Sequence, residues 1–171
     1  MIRRLKEQAL STKSPIEVKV DLPHESLKEA NWADAFEYVS PIAYENSRAA
    51  AEKSLTNFPF WIETLLALRD FFARKIGLKT RDVFTTSSGK KLDLVGFFPV
   101  CEETNEKIIL GFNDWHLDFR LIFEQIKLQD NKAIIKATTL VKPHNIFGKA
   151  YLSLISPFHK MIVPRVLKRA S

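Results

Sequence analysis

The chain has 171 residues, 46% of them hydrophobic and 27% charged, which is enough for one buried core and too short for two full-sized domains. Only 5 Gly and 8 Pro beside an aromatic share of 11% exclude collagen-like, disordered and coiled-coil classes. The net charge of +6 is lopsided: residues 1–130 carry 18 basic and 20 acidic side chains, while Lys132, Lys136, Lys142, Lys149, Lys160, Arg165, Lys168 and Arg169 stand in a stretch without Asp or Glu, giving a body of −2 and a C-terminal segment of +8.

The N-terminal MIRRLKEQALSTKSP has a basic start but no apolar run of the length a secretory signal needs, and no segment approaches the roughly 18 apolar residues of a membrane span. A cytoplasmic protein is expected. Ile16, Val18, Val20 and Leu22 alternate with Glu17, Lys19 and Asp21 up to Pro23, which predicts a short half-buried strand. Asp34 to Val39 places Phe36 and Tyr38 on one parity and ends at Ser40-Pro41, a second strand. Ser47 is the expected cap of a helix through RAAAEKSL, and a second helix starts at Asn57-Phe58-Pro59. In that second helix Trp61, Ile62, Leu65, Leu66, Leu68, Phe71, Phe72 and Ile76 cover most of the circumference before Gly77, so it is expected to be buried on more than one side.

Four strands are predicted next, over Leu92–Val100, Lys107–Phe112, His116–Leu128 and Lys132–Val141, joined by CEETNE, Asn113-Asp114 and Gln129-Asp130-Asn131. They read as an antiparallel meander. From Asn145 a long helix follows, with Phe147, Tyr151, Leu154, Phe158, Ile162 and Val166 as its expected apolar stripe and with Pro157 and Pro164 as kinks or interruptions. The order implies an α+β domain in which a curved antiparallel sheet wraps a long C-terminal helix, one domain over residues 1–171. Sheet and helix each need the other as cover, and such an arrangement encloses a cavity.

The blocks PFWIETLLALRDFFARKIGL (59–78), VGFFPV (95–100), LGFNDWHLDFRLIF (110–123) and FGKAYLSLISPFHKMIVPRVL (147–167) together resemble the domain of unknown function family 2867. The resemblance covers residues 32–168 and leaves a short N-terminal extension. It implies a helix-grip, START-like or Bet v 1-like fold with an internal cavity for a small lipophilic ligand, and it carries no activity. Relatives in such families occur fused behind a dinucleotide-binding domain, but the five glycines here nowhere form G-x-G-x-x-G.

The best candidate for chemistry lies on the third strand of the meander. His116, Asp118 and Arg120 share one parity there, against Trp115, Leu117, Phe119, Leu121 and Phe123 on the other. A carboxylate can orient a histidine and an arginine can hold an anion bidentately, so the trio could serve acid–base work or orient a ligand. Polar residues opposite an apolar parity ordinarily face water, which makes a solvated face with cross-strand pairs the plainer account. Trp61, Phe98, Trp115, Phe119, Tyr151 and Phe158 are the candidate apolar lining, although aromatic residues at this spacing usually build core.

His144 and His159 could reach the sheet and join His116 and Asp118, but no H-x-x-x-H spacing supports a metal, and neither a metal nor another cofactor is expected. Cys101 is expected to be buried in its strand; as a lone thiol it fits a reducing compartment, and no nucleophile motif accompanies it. The expected partner is a small lipophilic or aromatic molecule, with a cyclase-like or isomerase-like enzyme using His116, Asp118 and Arg120 as the alternative. A third reading is contact with an anionic membrane or a protein through the basic C-terminal helix. Nucleic acid is not expected, because no such motif is present and the first 130 residues are slightly acidic.

Overall fold

The computed structural model describes residues 14–55 and 92–170. Their strands are β1 (Ile16–Val18), β2 (Trp32–Ser40), β3 (Leu94–Val95), β4 (Phe98–Glu103), β5 (Lys107–Asn113), β6 (Leu117–Lys127) and β7 (Ala133–Pro143), with helices α1 (Ser47–Leu55) and α2 (Ile146–Leu167) and a 3-10 turn at Lys168–Ala170. The strands form one curved sheet in the order β1-β2-β7-β6-β5-β4-β3, and every neighbouring pair runs antiparallel. β3 to β7 are therefore the expected meander, and β2 returns to pair with its last strand. The helix predicted over 59–78, with Trp61, lies outside the described residues.

Side-chain alternation divides the sheet into two faces with different covers. On the inner face Phe36, Tyr38, Ile108, Leu110, Leu121, Phe123, Ile135 and Ala137 pack with Ala50, Ala51 and Leu55 of α1 and with Val163, Val166, Leu167 and Ala170 from the end of the chain. On the outer face Ile109, Ile122 and Leu140 pack with Val20, Leu27 and Ala30 from the segment leading into β2 and with Ala33 of β2 itself. Burying a side chain such as Phe123 or Leu140 contributes about 1.5–3 kcal/mol. Both parities of β6 and β7 are thus partly apolar, which explains why Ile122 and Leu140 interrupt a simple alternation.

Local chemistry sets the connections. The hairpin between β6 and β7 turns through Asp130 and Asn131, both at φ 57°, a left-handed conformation these short polar side chains tolerate. The strand expected over Leu92–Val100 is instead two, because Gly96 at φ 63° makes a turn between β3 and β4. In β4 the register slips between Val100 and Glu102, and this bulge leaves Cys101 exposed rather than buried. Its burial as expected from the apolar run fails because a bulged residue has no fixed place in the alternation.

Two caps also differ in detail. Asn46, not Ser47, caps α1, its side-chain oxygen accepting from the Ala49 amide at 2.9 Å, while the Ser47 hydroxyl donates to the Thr104 carbonyl at 3.0 Å. Asn145 caps α2 as expected, accepting from Gly148 N at 3.1 Å, and its amide donates to the Trp115 carbonyl at 3.0 Å. α2 runs unbroken through Pro157 and Pro164. The carbonyls those prolines leave without an amide partner belong to Ser153 and Lys160, which are both exposed and can turn to water.

The face of α2 that packs on the sheet is rotated from the expected stripe. Gly148, Val163, Val166 and Leu167 are buried, whereas Phe147, Leu154 and Phe158 stand outside. The helix carries apolar residues on two faces, and periodicity cannot say which one the sheet takes. No helix among the described residues is long and apolar enough to cross a membrane.

The start of α2 is clamped by close approach to the residue that precedes β6. A Cβ on Gly148 would overlap the His116 carbonyl oxygen and lie 3.2 Å from Pro143 Cβ. Alanine gains about 1 kcal/mol of helix propensity over glycine, but backbone overlap costs typically about 1–3 kcal/mol or more. Because the overlap is with backbone, the upper end of that cost applies, and Gly148→Ala is expected to destabilise the protein by about 2 kcal/mol in a urea melt; unchanged or raised stability would contradict the clamp.

Arg48 ties α1 to the far sheet edge. It donates to Asp93 at 2.9 Å, Glu103 at 2.6 Å and Glu52 at 3.0 Å. The hydrogen bond from Arg48 holds the Asp93 carboxyl below its usual range. With the folded value below the unfolded one of about 4, this contribution is present above that pH and is lost as pH falls through the folded value. Arg48→Gln is expected to move the acid-unfolding midpoint, followed by circular dichroism, to higher pH.

Candidate functional site

The trio predicted on one parity does not assemble. His116 precedes β6, is buried, and places its ring centroid 5.9 Å from that of Tyr151 on α2, beside Asp114. Asp118 and Arg120 lie within β6 on the parity of Ile122, which belongs to the outer face. Asp118 accepts from His144 Nε2 at 3.0 Å, next to the Lys142–Glu29 ion pair. Arg120 donates to the carbonyls of Phe112 at 3.2 Å and Phe119 at 2.8 Å, so its guanidinium is engaged with the backbone of β5 and β6.

The aromatic candidates are likewise divided. Phe98 and Phe119 pack against the inner core with ring centroids 5.5 Å apart. Trp115 and Phe158 stand at the surface, Trp115 with its ring 5.7 Å from that of Phe147. Tyr151 is half-buried against His116, and Trp61 is outside the described residues.

A different polar group occupies the space between sheet and helix. β2 carries Trp32, Asp34, Phe36 and Tyr38 on its inner parity, and Asp34 pairs in register with Thr139 of β7. From α2, His159 reaches the sheet. Its Nδ1 lies 2.8 Å from Asp34 Oδ2, and its Nε2 is 3.4 Å from Thr139 Oγ1. Trp32 meets the imidazole edge-on at 5.6 Å. The Asp34 side chain is only 2% exposed, that of His159 18%.

This arrangement has one unfilled valence. Asp34 Oδ1 is buried and has no hydrogen-bond partner among the described residues. A buried carboxylate oxygen left unpaired costs about 1–3 kcal/mol or more. Asp34 orients His159 through Nδ1, which leaves Nε2 directed toward a hydroxyl, the order in which a carboxylate, an imidazole and a hydroxyl can relay a proton. The same group can instead hold a ligand: Oδ1 accepts a donor, and the flanking rings offer apolar contact.

The sequence held a signal for this site that alternation alone obscures. Asp34 shares the parity of Phe36 and Tyr38, so a carboxylate was set on an apolar face. His159 is half-buried on α2, one turn before the buried Val163. Each looks like an ordinary polar residue until the fold brings positions 34 and 159 together.

A depression of about 390 Å³ lies elsewhere, on the outer face, lined by Glu37, Lys107, Glu124, Gln125 and Lys136 among others. Register aligns Glu37, Lys136, Glu124 and Lys107 across four strands with alternating sign. Such a row neutralises itself and offers no preference to a charged ligand.

Residues 26–166 match the model of a family described as protein of unknown function (DUF2867). No curated protein matches the chain.

If Asp34 and His159 are a buried, mutually dependent pair, removing one partner strands the other. His159→Leu is expected to cost about 3 kcal/mol or more in a urea melt at neutral pH, and Asp34→Leu added to it to recover most of the loss. A single-variant loss below about 0.5 kcal/mol would show that the pair does not depend on its desolvated geometry.

Proposed function

Since the chain belongs to the DUF2867 family, whose description assigns no activity, we propose from the site itself that it is a small-molecule-binding domain holding a lipophilic or aromatic ligand between the sheet and α2. Asp34 and His159 anchor the polar end of that ligand, and the proposed setting is a reducing compartment such as the cytoplasm, in keeping with a lone exposed thiol at Cys101. The observation that carries the reading is the buried, unpartnered Asp34 Oδ1 beside an otherwise apolar interface. A carboxylate held in this way favours a ligand that brings its own donor, a hydroxyl or an amine, because one charge-assisted hydrogen bond is worth about 1.5–3 kcal/mol there. A curved sheet with a helix laid across one face is also the arrangement on which the helix-grip reading of the fold rests.

A second reading is supported by the order Asp34, His159, Thr139: an acid–base enzyme of isomerase-like or cyclase-like chemistry with His159 as the base. It shifts the acid–base role from His116, Asp118 and Arg120, which the fold separates, to residues that are in contact.

Fluorescence titration with 2-naphthol and with its O-methylated analogue tests the first reading. The phenol is expected to bind roughly tenfold more tightly than the ether, and Asp34→Asn to remove most of that difference. Failure of both probes to bind, or an equal preference in both protein forms, would refute the Asp34-anchored site.

A further inference from the structure

Resting on the binding reading of the Asp34–His159 site, we infer that its ligand is a lipophilic amine whose protonated nitrogen pairs with Asp34. The Asp34 side chain is 2% exposed, and His159 Nδ1 at 2.8 Å occupies Oδ2. Oδ1 is buried and has no hydrogen-bond partner among the described residues. A buried carboxylate is costly unless a positive charge accompanies it, and a hydrogen bond to one of its oxygens relieves that cost only in part.

The charges around the site point the same way. Among the described residues no lysine or arginine bonds to Asp34. Lys160 follows His159 on α2, yet its ammonium is spent on Glu17 Oε1 at 2.8 Å. Glu17 stands opposite Phe36 in the pairing of β1 with β2, so it shares the inner face with Asp34. The Lys160 ammonium is held above its usual range, first by the hydrogen bond to Glu17 and to a smaller degree by the charge of Asp34, so two carboxylates act on one lysine. That is a deficit of one cation, and the unpaired oxygen marks where it belongs.

An alcohol supplies a donor to Oδ1 but no charge, whereas an ammonium supplies both, and a charge-assisted hydrogen bond is roughly twice as strong as a neutral one. Trp32 precedes Asp34 by two residues on the same parity and lies edge-on to the His159 ring at 5.6 Å, so an indole stands beside the pair. Aromatic rings attract a cation and gain little from a neutral hydroxyl. The same two carboxylates repel an anionic ligand.

Fluorescence titration of the full chain at neutral pH with 2-naphthylmethylamine, 2-naphthalenemethanol and 2-naphthoate tests the inference. The amine is expected to bind roughly tenfold more tightly than the alcohol, with the naphthoate weakest. Because the pair forms in a desolvated place, about 0.5 M salt is expected to leave most of that preference, whereas attraction to an exposed carboxylate such as Glu17 is screened away. Asp34→Asn is expected to bring amine and alcohol to within about twofold of each other. An alcohol that binds the parent protein as tightly as the amine, as would follow if His159 itself neutralised Asp34, overturns the inference and leaves the donor-seeking anchor standing. A preference that vanishes in salt, or that persists in Asp34→Asn, overturns it as well. Binding by none of the three probes overturns the anchor together with the inference.

Discussion

The pairing of β6 with β7 is the constraint on which the other features depend. It runs in unbroken register from Leu117 opposite Pro143 to Lys127 opposite Ala133 and is closed by a turn that only residues tolerant of positive φ can make. A shift of β6 by one residue would turn Leu121 and Phe123 away from the helices and bring Ile122 inward, while β7 stays held by its pairing with β2. Because both parities are apolar at the centre of this hairpin, hydrophobicity alone leaves the register weakly specified. Asp130 and Asn131 at the turn, and the different covers on the two faces, remove that ambiguity.

From that register follows the position of everything on the inner face. Thr139 is placed opposite Asp34, and α2, capped by Asn145 and pressed onto the His116 carbonyl through Gly148, is held where His159 reaches both. The end of the chain is fastened in turn by the Ser40 hydroxyl to the Ala170 carbonyl, and Gln125 closes the opposite end by exchanging two hydrogen bonds with the Tyr44 backbone. Most buried polar groups along the inner face are satisfied in this way. Asp34 Oδ1 is an exception, and it is the one on which the proposed site rests, since a desolvated acceptor is costly unless something fills it.

The two sides of α2 differ in what they meet. Toward the sheet, α2 offers one histidine in an apolar setting, and toward solvent it offers a line of exposed apolar side chains. A helix with apolar residues on both sides is unusual for a protein whose surface only meets water, and here the fold consumes one of the two.

Sequence by itself determined the elements and their order: two N-terminal strands, a short helix after them, an antiparallel meander and a long C-terminal helix opened by Asn145. These are local matters of alternation, capping and turn chemistry, and residues such as Asn145, Asp130 and Pro41 announce them without help from distant parts of the chain. It also showed that the positive charge belongs to the C-terminal segment. Only the tertiary structure decided the faces. His116, Asp118 and Arg120 share a parity on paper, yet His116 lies before the strand and packs under α2 while the other two turn outward. Phe147 and Leu154 look like core and stand in the open, and Asp34 and His159, 125 positions apart, meet in the interior. The physical reason is that a periodic pattern fixes which side chains share a face, whereas which face is buried depends on what the rest of the chain brings to cover it.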